Sequence, residues 1–212
     1  KSINIKKQED KGSDVTKYRV QKIIAFSERE ALVATRRDGV YVLDYQTMRL
    51  KRLFSGSNNI LQGAYLSSNG YIYLSFWGQG LFCYEKTGKF IKRYTKENSD
   101  LTNNYVLDIV EKEGFLWLAT DGGGINRLEL SNENFSNLYH IAGGKNSLPV
   151  NSVTILYKDE NEGLWAGSVR GGVFNIKKSY IRTYKDCPLG YINGLSEKSV
   201  TSLFEEPNGR LW

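Results

Sequence analysis

The sequence predicts an all-β protein in which four-stranded antiparallel sheets repeat along the chain. The 212 residues are 13% aromatic and include 14 tyrosines, a composition that favours strands. Twenty-one glycines accompany only three prolines, as expected where many tight turns join short strands. Because no segment carries helical periodicity over about a dozen residues, strands account best for the apolar pattern.

A tryptophan preceded by leucine recurs along the chain and sets the length of the repeat. Trp117, Trp165 and Trp212 are 48 and 47 residues apart, and Tyr73 and Val33 take the same column in two earlier, more divergent copies. A period of 40 to 48 residues that holds four strands is typical of a β-propeller blade, which must stack on its neighbours to bury both faces. We therefore predict a partial β-propeller with four whole blades and the start of a fifth.

Each copy of the repeat divides into four short strands. The segments "VTILYKDENEGLW" and "VTSLFEEPNGRLW" each read as a strand, a polar turn and a second strand. A hydroxyl or small residue, a loop with glycine, a third strand and a fourth follow, and Gly88 in "EKTGKF" predicts a tight turn with positive φ. We predict one domain, residues 1–212, with blades at 17–56, 57–98, 99–146 and 147–195, a further blade starting at 196–212, and 1–16 as the outer strand of a preceding blade.

Several conspicuous residues receive structural interpretations. The marker aromatics predict packing between blades, and the glycines of "TDGGG" predict a sharp turn where a Cβ would clash. The pairs Asp159–Glu160 and Glu205–Glu206 recur in first hairpin turns, which favours solvated turn residues over a catalytic carboxylate pair. The single histidine, His140, falls on a predicted outer strand, away from any triad or histidine metal cluster.

The segment "NSVTILYKDENEGLWAGSVRGGVF", residues 151–174, resembles the two-component regulator propeller repeat. The segment has the residues of that family's pattern in the same order: Asn, Val, Ile, an acidic position, Gly, Leu-Trp, a small residue and a glycine-rich turn. Residues 103–125 fit with one deletion, and the last copy fits as far as it extends, with Lys198 in place of Asn. The resemblance covers roughly residues 17–212.

The resemblance implies the extracytoplasmic sensor of a hybrid two-component system of gut Bacteroidetes. Such sensors place two propellers of about seven blades before a β-sandwich, a membrane helix and a cytoplasmic histidine kinase. It implies a position on the periplasmic side of the inner membrane, oligosaccharide ligands that regulate polysaccharide utilisation, and a homodimer in the full-length protein. We expect this segment to be non-enzymatic. Because an open ring exposes apolar faces, we also expect this fragment to self-associate or to need further sequence.

The bulk properties narrow the range of partners. The net charge of +6 is dispersed, which is typical of a solvated surface or of attraction to an acidic polymer, and no nucleic-acid motif accompanies it. The sequence contains no run of about 18 apolar residues, so we predict that this segment does not insert into a membrane, and its polar start shows no signal peptide. Cys83 reads as a small buried residue, and with Cys187 it makes no disulfide scaffold. We predict no cofactor and no metal site.

The candidate ligand-binding residues lie in the loops between second and third strands, where the copies differ: Arg36, Arg37, Phe76, Trp77, Asp121 and Arg170. Trp77 lies outside the marker column and could stack on a sugar, while the arginines could hold carboxylate or sulfate groups. The structural alternative is that Phe76 and Trp77 plug the space between blades and that the arginines are solvated. Asn104 and Asn151 are predicted to cap turns through side-chain bonds to the backbone.

Two further function classes stay open beside the sensor. One is a protein-interaction propeller without a small-molecule ligand. The other is a lyase or glycosidase on a propeller scaffold, for which the sequence offers no convincing catalytic constellation.

Overall fold

The computed structural model describes residues 19–55, 59–144, 147–177, 181–184 and 199–212. Within these residues lie sixteen strands and no helix. The strands form four sheets, each four-stranded and antiparallel, in which consecutive strands are neighbours. The predicted all-β class of repeating four-stranded sheets is confirmed.

The four sheets follow one another along the chain, and each lies within one of the predicted blade ranges. The first sheet holds β1 (Val20–Ala25), β2 (Glu30–Thr35), β3 (Gly39–Asp44) and β4 (Leu50–Ser55). The second holds β5 (Leu61–Leu66), β6 (Tyr71–Phe76), β7 (Gly80–Glu85) and β8 (Phe90–Tyr94). The third holds β9 (Val106–Lys112), β10 (Phe115–Thr120), β11 (Ile125–Glu129) and β12 (Phe135–Leu138). The fourth holds β13 (Val153–Lys158), β14 (Leu164–Ser168), β15 (Val173–Ile176) and β16 (Ile181–Tyr184).

Turn chemistry fits these boundaries. The predicted tight turn between β7 and β8 is present, since Gly88 has a φ of 90° and its N–H donates a 2.9 Å bond to the carbonyl oxygen of Glu85. A register shift also recurs near the start of the first strand of every sheet, in β1, β5, β9 and β13. Such a bulge bends the strand and re-aims the residues before it.

The chain divides into two compact units. The first comprises Lys1–Trp77 and Leu81–Arg93, and the second comprises Gly78–Gly80 and Tyr94–Trp212. In the first unit, apolar residues of the first and second sheets share one buried cluster: Leu32, Ala34, Val40, Val42, Leu61, Ala64, Ile72, Leu74 and Phe76. Each fully buried leucine or isoleucine in such a core contributes roughly 1.5–3 kcal/mol.

In the second unit, the third and fourth sheets pack face to face. Their shared cluster joins Val110, Trp117, Ala119 and Ile125 to Leu148, Val153, Leu156, Leu164, Ala166, Phe174 and Ile176. A polar contact crosses the same interface, where the buried carboxylate of Asp108 accepts a 3.0 Å bond from the N–H of Leu156. The predicted packing of a marker tryptophan between neighbouring sheets therefore holds for Trp117.

The marker column needs one correction in the first sheet. Thr35, Thr120 and Ser168 each donate a side-chain bond to the carbonyl oxygen four residues later, so these three positions are equivalent. Three residues before them stand Leu32, Trp117 and Trp165, which means that Leu32, and not Val33, occupies the marker position. A shift of one residue moves a strand side chain to the opposite face of the sheet. Leu32 accordingly packs in the cluster shared with the second sheet, as Trp117 does with the fourth.

The last described segment begins another hairpin. Phe204 and Trp212 exchange backbone bonds of 2.9 and 2.7 Å, and a bridge joins Glu205 to Leu211. Trp212 is 58% exposed, and Trp165 is half-buried, so neither is a core residue of the kind that Trp117 is. Cys83 is buried, as predicted. Cys187 and the strand predicted at 1–16 lie outside the described residues.

Candidate functional site

The loops that carry the predicted site residues have the same backbone anchor in every sheet. We call the loop between the second and third strands of a sheet its second turn; these are residues 36–38, 77–79, 121–123 and 169–171. The first residue of each donates its N–H to a carbonyl oxygen of the segment before the first strand: Arg36 to Arg19 (2.8 Å), Trp77 to Ile60 (2.8 Å), Asp121 to Tyr105 (3.0 Å) and Val169 to Ser152 (3.1 Å). Four different side chains therefore stand at one equivalent backbone position.

The residue just before each second turn is part of the core. In three sheets it is Thr35, Thr120 or Ser168, each with its hydroxyl 2.8 Å from a glycine carbonyl oxygen. In the second sheet Phe76 takes this place. Its ring is 7% exposed and packs edge-on against Phe82 at 5.2 Å between centroids. Phe76 therefore belongs to the interior, as the structural alternative held, and is not a surface residue for a ligand.

The other predicted site residues reach the surface in their own units. In the first unit Trp77 is 46% exposed, Arg37 is exposed and Arg36 is half-buried. In the second unit Asp121 and Arg170 are both exposed. The second turns thus present an indole and two guanidinium groups in one unit, and a carboxylate and a guanidinium in the other.

A small cavity lies under the arginine-bearing turn of the first unit. Arg36, Arg37, Asn59 and Phe76 are among its lining residues, and its volume is about 10 Å³. That volume holds about one water molecule. A sugar at this turn would therefore lie on the surface and not in the cavity.

Arg170 has an unusual backbone conformation for its residue type. Its φ is 63°, in the left-handed region, and the equivalent positions of two other second turns hold Gly78 and Gly122. A non-glycine residue there costs roughly 1–2 kcal/mol. Among the described residues no hydrogen bond or ion pair engages its guanidinium. Among the described residues, therefore, neither a hydrogen bond nor an ion pair of the Arg170 guanidinium offsets the cost of this conformation.

Asp121 is held by its neighbours on both sides. The hydroxyl of Ser152 donates a 2.5 Å bond to Oδ1 of Asp121, and the amide of Asn103 donates a 2.7 Å bond to the Asp121 carbonyl oxygen. The second glycine after it, Gly123, has no room for a Cβ, which would collide with the side chains of Thr102 and Thr120. The "DGGG" loop is thus a close-packed turn that fixes the direction of one carboxylate.

Two exposed tyrosines beside these turns were not predicted from the sequence. Tyr105, 40% exposed, precedes β9, and Tyr139, 44% exposed, follows β12. Tyr139 falls in "NLYHI", which the sequence pattern predicts as part of an outer strand, and Tyr105 falls at the start of the third copy of the repeat. For Tyr105 a comparison of the copies gives no signal, because the equivalent residues, Arg19, Ile60 and Ser152, share no single character.

The predicted caps are present and tie the segments between sheets to the second turns. Oδ1 of Asn104 accepts the N–H of Lys96 at 2.9 Å, and Oδ1 of Asn151 accepts the N–H of His140 at 2.7 Å. The carbonyl oxygens of the same two asparagines accept the N–H groups of Gly80 and Gly124, each at 2.8 Å. Asn104 also donates to Glu97, and this bond lowers the pKa of that carboxyl.

The carboxylates of the first hairpin turns have structural partners. Oδ2 of Asp159 accepts the indole N–H of Trp165 at 2.7 Å, and Oδ1 accepts the N–H of Gly163 at 2.5 Å. Glu205 accepts the hydroxyl of Tyr157 at 3.1 Å. Burial, and then this carboxylate, raise the pKa of Tyr157. Within the part of the chain that the structure describes, no group of three or more His, Cys, Asp or Glu side chains is placed to hold a metal ion.

His140 does not lie on an outer strand as predicted, because β12 ends at Leu138. It stands in the segment before β13, exposed, with Nδ1 2.7 Å from the carbonyl oxygen of Leu148. The neutral ring then carries its proton on Nδ1, and Nε2 is left as the acceptor nitrogen. The histidine was placed wrongly because "NLYHI" continues the apolar pattern of the strand beyond its end.

Solved structures of several proteins share this fold. The extracellular domains described as parts of the hybrid two-component systems BT3049 and BT4673 of B. thetaiotaomicron superpose with TM-scores of 0.63 and 0.57. Their sequence identities are 17% and 18%, over 96% and 91% of this chain. The chain spans 33% and 34% of their lengths, about a third. Virginiamycin B lyase from Staphylococcus aureus superposes with a TM-score of 0.63 at 14% identity, over 92% of this chain and 62% of the lyase.

At these identities the likeness concerns the fold. The similar structures are propeller-type domains, and the predicted partial β-propeller is confirmed. Extracellular domains of Bacteroides two-component sensors, the kind of domain that the repeat pattern resembles, are among them. No protein-family model matches the sequence, and no curated protein matches it. Among the described residues there is no helix with the length and apolar character that a membrane span requires.

Proposed function

We propose that this chain is part of the extracytoplasmic ligand-sensing domain of a hybrid two-component sensor histidine kinase, and that it binds oligosaccharides through its second turns. The observation that carries the proposal is the contrast between neighbouring positions of the repeat. The position before the second turn repeats a hydroxyl in three of the four sheets. The next position holds Arg36, Trp77, Asp121 or Val169, of which all but the half-buried Arg36 are exposed. A scaffold that repeats under a surface that varies is the arrangement of a binding site.

The chemistry of the varying residues favours a carbohydrate. An exposed indole stacks on the apolar face of a sugar ring, and arginine forks bind carboxylate or sulfate groups through paired bonds. The net charge of +6 suits an acidic glycan. In this proposal the domain lies on the periplasmic side of the inner membrane, and a membrane helix and a kinase module elsewhere in the protein carry the signal inward, within a homodimer.

Two alternatives have their own supporting observations. A protein partner would also fit exposed residues on loops, and the fold is shared with a lyase whose catalytically inactive variant replaces a histidine by alanine. This chain has one histidine, His140, and its Nδ1 is engaged by a backbone carbonyl. A lyase that uses a histidine base would have to use the exposed Nε2 of His140, and Nδ1 is bonded to a backbone carbonyl oxygen and not to a carboxylate that would orient the ring.

Titration calorimetry with the 212-residue chain tests the proposal. Neutral and acidic oligosaccharides are titrated into the wild type and into the variants Trp77→Ala and Arg170→Ala. Phe90→Ala and Arg29→Ala are matched controls, since Phe90 is 51% exposed on β8 and Arg29 precedes β2. We expect the two second-turn variants to lose about tenfold in affinity or more, and the controls to bind as the wild type does. If the wild type and all the variants bind a sugar with the same affinity, the ligand binds elsewhere on the protein. If no sugar binds, the protein-interaction alternative is favoured.

A further inference from the structure

The positive charge of the chain is concentrated in its first unit. That unit contains 17 lysines and arginines against eight aspartates and glutamates, a net charge of +9. The second unit contains 12 against 15, a net charge of −3. The value of +6 for the whole chain therefore combines two units of opposite sign. Such an asymmetry indicates that an acidic partner would contact the first unit.

Seven basic residues of the first unit lie on β4, on β8 and directly beside these strands. We call residues 49–52 and 86–93 the basic strip, which contains no acidic residue and the following basic ones: Arg49, Lys51, Arg52, Lys86, Lys89, Lys92 and Arg93. Five of the seven are exposed, and Lys92 and Arg93 are half-buried. The carboxylates of Asp38 and Glu85 pair with Arg52 and Lys89 at 3.4 and 3.3 Å. Seven positive charges with these two negative ones leave a net charge of +5 on the strip.

Packing brings the two segments of the basic strip together. The tight turn between β7 and β8 lies against β4, since a Cβ built on Gly88 would stand 2.8 Å from the carbonyl oxygen of Leu53 and 3.2 Å from its Cγ. Beside this contact the ring of Phe54 stacks on that of Tyr84, with centroids 4.6 Å apart. The two segments therefore belong to one continuous surface of the first unit.

Two large apolar residues are exposed within the basic strip. Phe90 is 51% exposed and Ile91 is 37% exposed, and as successive residues they lie on opposite faces of β8, the last strand of its sheet. The ring of Phe90 is held by an edge-on contact with Tyr84, at 5.6 Å between centroids. Lysines by themselves protect an exposed sheet edge from pairing with other chains. Exposed apolar residues between the lysines oppose that protection, and they indicate a partner that accepts both charge and apolar surface.

We propose that the basic strip docks on a lipid bilayer that contains anionic phospholipids, with the basic side chains at the phosphate groups and with Phe90 and Ile91 in the headgroup layer. Basic residues beside exposed apolar side chains are what binding to an anionic membrane surface requires. A soluble acidic polymer would engage the charges and leave the two apolar residues in water. The contact is peripheral and crosses no membrane, and it does not depend on oligosaccharide binding.

Flotation of the 212-residue chain with lipid vesicles tests the proposal. One set of vesicles is pure phosphatidylcholine, and the other is equimolar phosphatidylcholine and phosphatidylglycerol. We expect the wild type to bind the anionic vesicles about tenfold more tightly than the neutral ones, or better, and to lose affinity as salt is added. A wild type that binds the two kinds of vesicle equally, or binds neither, overturns the proposal.

A charge-matched pair of variants locates the contact. The double variant Lys51→Gln with Lys86→Gln should bind anionic vesicles about tenfold more weakly or worse, since each basic residue near such a surface contributes about fivefold. The double variant Lys96→Gln with Lys158→Gln removes the same charge from exposed positions of the second unit, and it should bind as the wild type does. Equal losses in the two double variants would mean that net charge alone attracts the protein, which overturns the assignment to the strip.

The exposed phenylalanine separates a membrane from a soluble polyanion. Phe90→Ala should weaken binding to anionic vesicles about threefold or more and leave the binding of dextran sulfate unchanged, because only the bilayer takes up the ring. If Phe90→Ala binds vesicles as the wild type does, while Lys51→Gln with Lys86→Gln loses affinity for dextran sulfate, the strip binds acidic polymers and the membrane proposal is wrong. Neither result bears on the oligosaccharide titrations, so the two proposals can fail separately.

Discussion

The hydroxyl of Thr120 donates a 2.8 Å hydrogen bond to the carbonyl oxygen of Gly124, and both residues are fully buried. The bond spans the second turn and closes it immediately below the exposed Asp121. The same bond joins Thr35 to Gly39 and Ser168 to Gly172. We infer that the rigidity of the second turns depends on this hydroxyl as much as on their glycines.

Replacing this hydroxyl should therefore cost stability. Thr120→Val keeps the shape of the side chain and removes the donor, so we expect the free energy of unfolding to fall by about 1–2 kcal/mol in urea titrations. Thr201→Val, at an exposed position, is the matched control and should change it by about 0.5 kcal/mol or less. Equal stability of the two variants would contradict the role assigned to the hydroxyl.

The glycines of the same loop should differ from one another when replaced. Gly122 has a φ of 91° and its nearest side-chain atom would lie 3.6 Å from a new Cβ, so Gly122→Ala should cost about 1–2 kcal/mol, from backbone strain alone. A Cβ on Gly124 would collide with the carbonyl oxygen of Leu138, so Gly124→Ala should cost clearly more. Thermal unfolding of the two variants measures the difference. A Gly122→Ala variant that is the less stable of the two would overturn this assignment of roles.

The repeat could be predicted from the sequence because strand, turn and marker recur with a nearly constant spacing. The predicted alignment of the first copy was wrong by one residue, because Leu32 and Val33 are both apolar and no tryptophan fixes the register there. Phe76 was misplaced for a related reason. It stands in the position of Thr35, Thr120 and Ser168, and only the shared hydrogen bond, invisible in the sequence, reveals that this position is internal.

The exposure of the candidate residues could be predicted in part. The loops that vary could be found by comparing copies, which identified Trp77, Asp121 and Arg170 as exposed residues. Tyr105 could not be found in this way, because its placement depends on Gly78, 27 positions earlier in the chain. Contacts between residues so far apart follow from how the strands are arranged, and the repeat pattern by itself does not contain them.

Asp159 and Glu160 offer a test of the structural interpretation of the paired carboxylates. Asp159 accepts bonds from the Trp165 indole and from the N–H of Gly163, whereas the side chain of Glu160 is exposed. We expect Asp159→Ala to lower the free energy of unfolding by about 1–3 kcal/mol, since both donors lose a charged partner. Glu160→Ala should change it by about 0.5 kcal/mol or less. Similar losses in both variants, measured by urea unfolding, would indicate a shared role for the pair instead.

Tyr84 should make the stability of the protein fall at high pH. Its ring stacks on Phe54 with centroids 4.6 Å apart, and burial raises the pKa of its hydroxyl above the usual 10.0. Because the folded state holds this proton more tightly than the unfolded state, the contribution is fully present below about pH 10 and is lost as the pH rises toward the folded pKa. Tyr84→Phe removes the titrating group and keeps the stacked ring. We therefore expect the free energy of unfolding to fall less between about pH 9 and 11 in Tyr84→Phe than in the wild type, and Tyr45→Phe, at an exposed tyrosine, to behave as the wild type does. An identical pH dependence of all three proteins in urea unfolding would show that the Tyr84 hydroxyl ionises as readily in the folded chain as in the unfolded one.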